Sequence, residues 1–149
     1  MDKNRIIAAA RNGTHRGIPD TCMGSGFSQD PSCKDVLQYY FSTEREIITD
    51  IRYTITETSC YPSKACGEAA AELAQGKPVM EAYTIDADKI GEAVGGLDME
   101  HRHCAQMAEL ALKRAVLDYA RRRAGNGGIP AVMPAVPAGI GGSPDRLNA

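Results

Sequence analysis

The sequence predicts an α+β domain: a small antiparallel sheet of about three strands, covered by helices and closed by a long C-terminal helix. Three observations predict it. From His101 to Arg123 the apolar residues recur at helical spacing over about six turns. Two β-rich runs, Asp35 to Ser42 and Ile47 to Thr56, follow one another with only a short polar segment between them. After the second run every periodic segment is helical.

The elements follow in order. Residues 2–12 read as a short helix with Ile6, Ile7 and Ala10 on one side and Gly13 as its stop. Gly13 to Ser32 is rich in Gly, Ser, Pro and Asp and reads as a loop, with Cys22 inside it. Asp35 to Ser42, DVLQYYFS, carries β-formers on both faces. Thr43 to Glu46 supplies a four-residue polar turn, which makes an antiparallel hairpin with the next run. In Ile47 to Thr56 the alternation aims Ile47, Ile51, Tyr53 and Ile55 one way and Asp50, Arg52, Thr54 and Thr56 the other.

Thr58 to Ser63 is a turn carrying Cys60 and Pro62, and Ser63 is the expected N-cap of a helix from Lys64 to Gln75, ended by Gly76. Its buried stripe is Cys66, Ala69, Ala70 and Leu73. Pro78 opens a short helix to Tyr83, and Asp86 caps another that reaches Val94 before Gly95 and Gly96. In the long helix Cys104, Met107, Ala108, Ala111, Ala115 and Tyr119 form one stripe, with Leu112 and Val116 beside it. Arg121, Arg122 and Arg123 suit its negative end, and Gly125 is the expected stop. Residues 1–124 thus read as one domain. Residues 125–149, rich in Gly, Pro, Ala and Val, read as a flexible or partner-bound tail.

Composition narrows the function. A chain of 149 residues is long enough for one real core. A net charge of −2 and few aromatics argue against nucleic acid, whose binding rests on phosphate neutralisation and stacking. No apolar run approaches the ~20 residues that span a bilayer, and the N-terminal apolar run is too short for a secretory signal. The expected compartment is therefore the cytoplasm. There, five cysteines point to metal binding, reactivity or burial rather than a disulfide framework.

Cys33 precedes the first strand run, Cys60 follows the second, and Cys104 begins the long helix with His103 beside it. A hairpin returns the chain, so Cys33 and Cys60 fall at one end of the sheet. Asp35 lies two residues from Cys33, at the strand period. Three thiolates, one carboxylate and one imidazole can meet at one corner, and thiolates select zinc, copper(I) or iron-sulfur chemistry. Lys34, Lys64 and Arg102 are neighbours in sequence that favour the thiolate forms. The packing alternative, small apolar cysteines simply buried, stays open on spacing alone. Cys66 reads as core. Cys22 reads as a bystander able to swap in as a ligand. His15 and His101 read as solvated.

Four segments resemble NifU/IscU-type iron-sulfur cluster scaffold proteins: GSGFSQDPSCKD (Gly24–Asp35), SCYPSKACGEAAAELAQGKPVMEA (Ser59–Ala82), HCAQMAELALKRAVLDY (His103–Tyr119) and, more faintly, RNGTHRG (Arg11–Gly17). The resemblance spans about residues 2–123, in order. It implies a scaffold rather than an enzyme. Such a scaffold takes sulfur as a persulfide from a cysteine desulfurase, binds iron, builds a 2Fe-2S cluster and passes it to recipient apo iron-sulfur proteins. By position it implies Cys33, Cys60 and Cys104 as the three cysteine ligands, with Cys104 as persulfide acceptor. Asp35 matches the acidic residue that keeps the cluster labile, and His103 the nearby histidine. Zinc in place of the cluster is the alternative occupant. A stable cluster-bearing subunit of a larger redox complex, docked through the tail, is the alternative function. Departures from the family pattern are Lys34 for a glycine, Ser59 and Tyr61 for the glycines flanking the second cysteine, and LDMEH (Leu97–His101) in place of a chaperone-gripped segment.

Overall fold

The computed structural model describes residues 2–32 and 34–124. Cys33 and the tail from residue 125, with its expected helix stop at Gly125, lie outside the described residues. The elements are α1 (Lys3–Asn12), β1 (Gly24–Gln29), β2 (Val36–Glu44), β3 (Ile47–Ile55), α2 (Tyr61–Ala74), α3 (Val79–Ala82), α4 (Ala87–Ala93), a 3-10 turn (Met99–His101) and α5 (Arg102–Arg123). The strands form one antiparallel sheet in the order β1-β2-β3, so the predicted α+β architecture holds.

The sheet buries one face. Leu37, Tyr39 and Phe41 of β2, with Ile48, Ile51 and Tyr53 of β3, are fully buried. Burying each such side chain contributes roughly 1.5–3 kcal/mol. Behind them lies α2, whose Ala65, Cys66, Gly67, Ala69, Ala70, Ala71 and Ala74 are all buried. A helix covered on nearly all sides belongs in the middle of a domain, and its small side chains let neighbours come close. The long helix α5 packs with the predicted stripe inward: Cys104, Met107, Ala108, Ala111, Leu112, Ala115, Val116 and Tyr119 are buried. No described helix is long and apolar enough to cross a membrane.

Four local expectations change. Gly24 to Gln29 is a strand, not part of a loop. Its glycines are where α5 crosses: a Cβ at Gly26 would lie 2.3 Å from the Ala115 backbone nitrogen, and one at Gly24 2.8 Å from the Ala115 carbonyl oxygen. The β2–β3 connection is two residues, Arg45 and Glu46, both in the left-handed region at φ 55° and 67°. That double left-handed turn matches strand twist. A register shift between Ser42 and Thr43 puts Ile48, not Ile47, into the core. Finally α2 starts at Tyr61 with Pro62 in its first turn and Cys60 at the N-cap position, so Ser63 lies inside the helix. The Asp86 cap stands as expected, its Oδ1 accepting from the Lys89 N–H at 2.9 Å.

One charged side chain sits in the core. Glu68 of α2 is 1% exposed. Its carboxylate accepts from the Tyr53 hydroxyl at 3.0 Å and the His15 N–H at 3.1 Å, and it pairs with His15 Nδ1 at 2.8 Å. His15 is therefore a clasp between the N-terminal segment and α2 rather than a solvated residue. A buried carboxylate with this many partners offsets its desolvation; without them it would cost several kcal/mol.

Candidate functional site

The site is built where three elements end. At the exit of β1, Asp30 turns the chain: its Oδ1 accepts from the Ser32 N–H at 2.8 Å and the Ser32 hydroxyl at 3.0 Å. Its carbonyl accepts from the Lys34 N–H at 2.8 Å, and its own N–H donates to the Asp35 carbonyl at 2.8 Å. Asp30 is thus bonded to Ser32, Lys34 and Asp35. Lys34 takes φ 64°, the conformation that glycine adopts freely, so the Lys34 departure leaves the turn in place. Asp35 is buried at the entry to β2.

Cys60 stands at the start of α2 and Cys104 in the first turn of α5. The two share one hydroxyl. The Cys60 thiol donates to Ser63 Oγ at 3.4 Å, and the Ser63 hydroxyl donates to Cys104 Sγ at 3.2 Å. His103 Nε2 lies 3.7 Å from Cys104 Sγ and 3.4 Å from Asp30 Oδ2. Cys60 is exposed, whereas Cys104 is fully buried. The corner thus joins Cys60, Ser63, Cys104, His103 and Asp30.

Two opposite influences act on Cys104. The start of a helix favours a thiolate, but burial wins: the Cys104 thiol is pushed up to about 12, with Cys60 and Asp30 adding to the rise and the Ser63 hydrogen bond opposing it. Arg102 does not counter this, because its guanidinium pairs with Asp88 at 2.7 Å. The donor set itself, two thiols with an imidazole and a carboxylate, fits iron or zinc and not a hard cation.

The other cysteines separate by position. Cys66 is fully buried in α2, and burial raises its thiol further still, which agrees with a core role. Cys22 lies at the far end of β1, where its carbonyl accepts from Arg122 at 3.1 Å. Arg122 is 18 residues along α5 from Cys104, roughly 27 Å at 1.5 Å per residue. Cys22 is therefore too distant to swap in as a ligand. His101 pairs with Asp98 at 2.7 Å and is turned to that contact. Arg122 and Arg123 do more than cap α5, since Arg123 pairs with Glu46 of the hairpin turn at 2.9 Å.

Two residues of the corner were missed in the sequence. Asp30 carries a usable signal, because Asp-Pro-Ser is a side-chain-capped turn pattern. Ser63 carries none, since its hydroxyl matters only once α2 and α5 are packed together.

The family model described as NifU-like N terminal domain matches residues 1–126. The iron-sulfur cluster assembly scaffold protein IscU 1 of Archaeoglobus fulgidus is 31% identical over 122 residues, covering 82% of this chain and 78% of that protein. The scaffold protein IscU of Buchnera aphidicola from Acyrthosiphon pisum is 31% identical over 110 residues, covering 70% and 80%. Among solved structures, a Fervidobacterium islandicum protein described as an iron-sulfur cluster assembly scaffold for the SUF system superposes with a TM-score of 0.58 at 18% identity, covering 77% of this chain and 93% of that one. At that identity the likeness concerns the fold.

Proposed function

This chain belongs to the NifU-like N-terminal domain family, and from that premise we propose that it is an iron-sulfur cluster assembly scaffold. In this reading it takes sulfur from a cysteine desulfurase and binds iron. It holds a 2Fe-2S cluster as cargo on Cys33, Cys60 and Cys104, and delivers it to recipient apoproteins. In this reading Asp35 and His103 supply the non-thiolate groups, Asp35 keeping the cargo labile because a carboxylate suits sulfide-bridged iron less well than a thiolate.

One observation carries the reading: Cys60 and Cys104, 44 residues apart, converge on the Ser63 hydroxyl with His103 alongside. An exposed Cys60 also favours a scaffold over a stable redox subunit, since cargo that must leave is served by an open edge.

Sulfur acceptance is the step that a redox subunit does not need. The Cys104 thiolate attacks the outer sulfur of the donor persulfide. A new S–S bond forms on Cys104, the donor's S–S bond breaks, and the donor cysteine leaves as a thiolate. With the thiol held up at about 12 against an ordinary 9.0, the thiolate fraction below that range rises about tenfold per pH unit. Acceptance should therefore speed up as pH rises from neutral toward 9. The test mixes the protein with a cysteine desulfurase and free cysteine, without iron, and weighs it intact. One added sulfur atom, lost in Cys104→Ser and kept in Cys22→Ser, supports the proposal. A wild-type protein that gains no sulfur favours the stable cluster-bearing subunit instead.

A further inference from the structure

We infer that Asp30 is a positioning residue for the His103–Cys104 pair, its carboxylate facing His103 at 3.4 Å so that the proton sits on Nε2, within reach of the Cys104 sulfur. Its consequence for sulfur handling rests on the scaffold reading; its geometry does not.

Asp30 is 2% exposed although it sits at a loop start, where charged side chains usually turn to water. Its two oxygens have different tasks. Oδ1 holds the loop through the Ser32 N–H and hydroxyl. That task needs one acceptor oxygen, which an asparagine supplies equally well. Oδ2 lies 3.4 Å from His103 Nε2, across from the first turn of α5. Here the carboxylate differs from an amide. It is acceptor-only and negative, so a neutral imidazole facing it keeps its proton on Nε2 and its lone pair on Nδ1. At 3.4 Å the contact is a charge–dipole preference more than a tight hydrogen bond, and burial strengthens it by lowering the local dielectric.

The same Nε2 is 3.7 Å from Cys104 Sγ. With the proton on Nε2, His103 offers a donor to whatever negative sulfur stands there, a thiolate or the terminal sulfur of a persulfide. It does not offer a metal-binding lone pair on that atom. Asp30 thereby ties the end of β1 to the helix start of Cys104 through one side chain, and sets what His103 presents to the Cys104 sulfur.

The tautomer can be read directly. A long-range proton–nitrogen NMR spectrum of the metal-free protein, taken where His103 is neutral, distinguishes Nε2–H from Nδ1–H. Wild type should show Nε2–H. In Asp30→Asn the amide oxygen keeps the Ser32 bonds while the NH2 faces Nε2, so His103 should switch to Nδ1–H, with the loop amides and melting temperature little changed. Ser32→Ala, which removes the hydroxyl bond to Oδ1 and keeps the N–H bond, should leave Nε2–H in place. If Asp30→Asn does not fold, Asp30→Ser keeps a turn acceptor without the charge and should likewise lose the Nε2–H preference. Nδ1–H in wild type, or an unchanged tautomer in the folded variant, overturns the inference and leaves Asp30 as a loop residue. A normal tautomer switch in a protein that takes no sulfur would instead count against the scaffold reading alone.

Discussion

Gly26→Ala is expected to destabilise the domain by 3 kcal/mol or more, on the order of the upper range for overpacking. The added Cβ would lie 2.3 Å from the Ala115 nitrogen and 2.5 Å from the Arg114 carbonyl carbon. These are backbone atoms, so no side-chain rotation relieves the clash. Either α5 lifts off β1 or β1 leaves the sheet. A typical domain is stable by only ~5–15 kcal/mol, and for one of this size each kcal/mol is worth several degrees. A thermal melt should therefore show a midpoint lowered by about 10 °C or more. Gly91→Ala is the control: it lies in α4 with ordinary backbone angles, and its Cβ would meet Leu97 at 3.8 Å. That change should leave the midpoint unchanged or raise it slightly, because alanine favours helix over glycine. A Gly26→Ala protein that melts with wild type would show that α5 does not rest on β1 as described.

Cys60→Ala and Cys104→Ala should each abolish the visible chromophore after anaerobic reconstitution with iron and sulfide. The two thiols meet at one hydroxyl from separate helices, so neither has a stand-in among the described residues within reach. A missing thiolate leaves the cargo with too few soft donors to be retained. Cys66→Ala and Cys22→Ala should keep the chromophore, one lying in the core of α2 and the other at the far end of β1. Normal iron and sulfide content in Cys60→Ala would remove it from the ligand set. Full loss in Cys22→Ala would contradict the placement of the site.

Much of this arrangement was legible in the sequence, and the parts that were not have physical causes. The stripe of α5 is a pure period signal, and every residue of it is buried. The hairpin was legible from its β-formers. Strand β1 was not, because Gly24 and Gly26 look like loop residues, yet they are required where a helix crosses a strand. The same sequence mark has two meanings, and only the packing partner distinguishes them. The inward face of β3 was misjudged at Ile47 because a bulge shifts the phase by one residue, and nothing local announces it. At the site, Cys60, Cys104 and His103 converge as their placement at element ends implied. The pull of the helix start toward a Cys104 thiolate is outweighed by burial, a tertiary effect that spacing does not contain. Asp30 and Ser63 entered only with the fold.

The central claim is that the corner builds cargo and gives it up. The direct measurement is cluster transfer: the reconstituted protein is mixed anaerobically with an apo-ferredoxin, and the ferredoxin is separated and assayed for its own spectrum and electron-transfer activity over time. The proposal predicts near-stoichiometric transfer, faster than from iron and sulfide free in solution and resistant to an added chelator that strips free iron. A cluster that stays on this chain while the ferredoxin remains apo would contradict it, and would make the protein a carrier of its own redox centre.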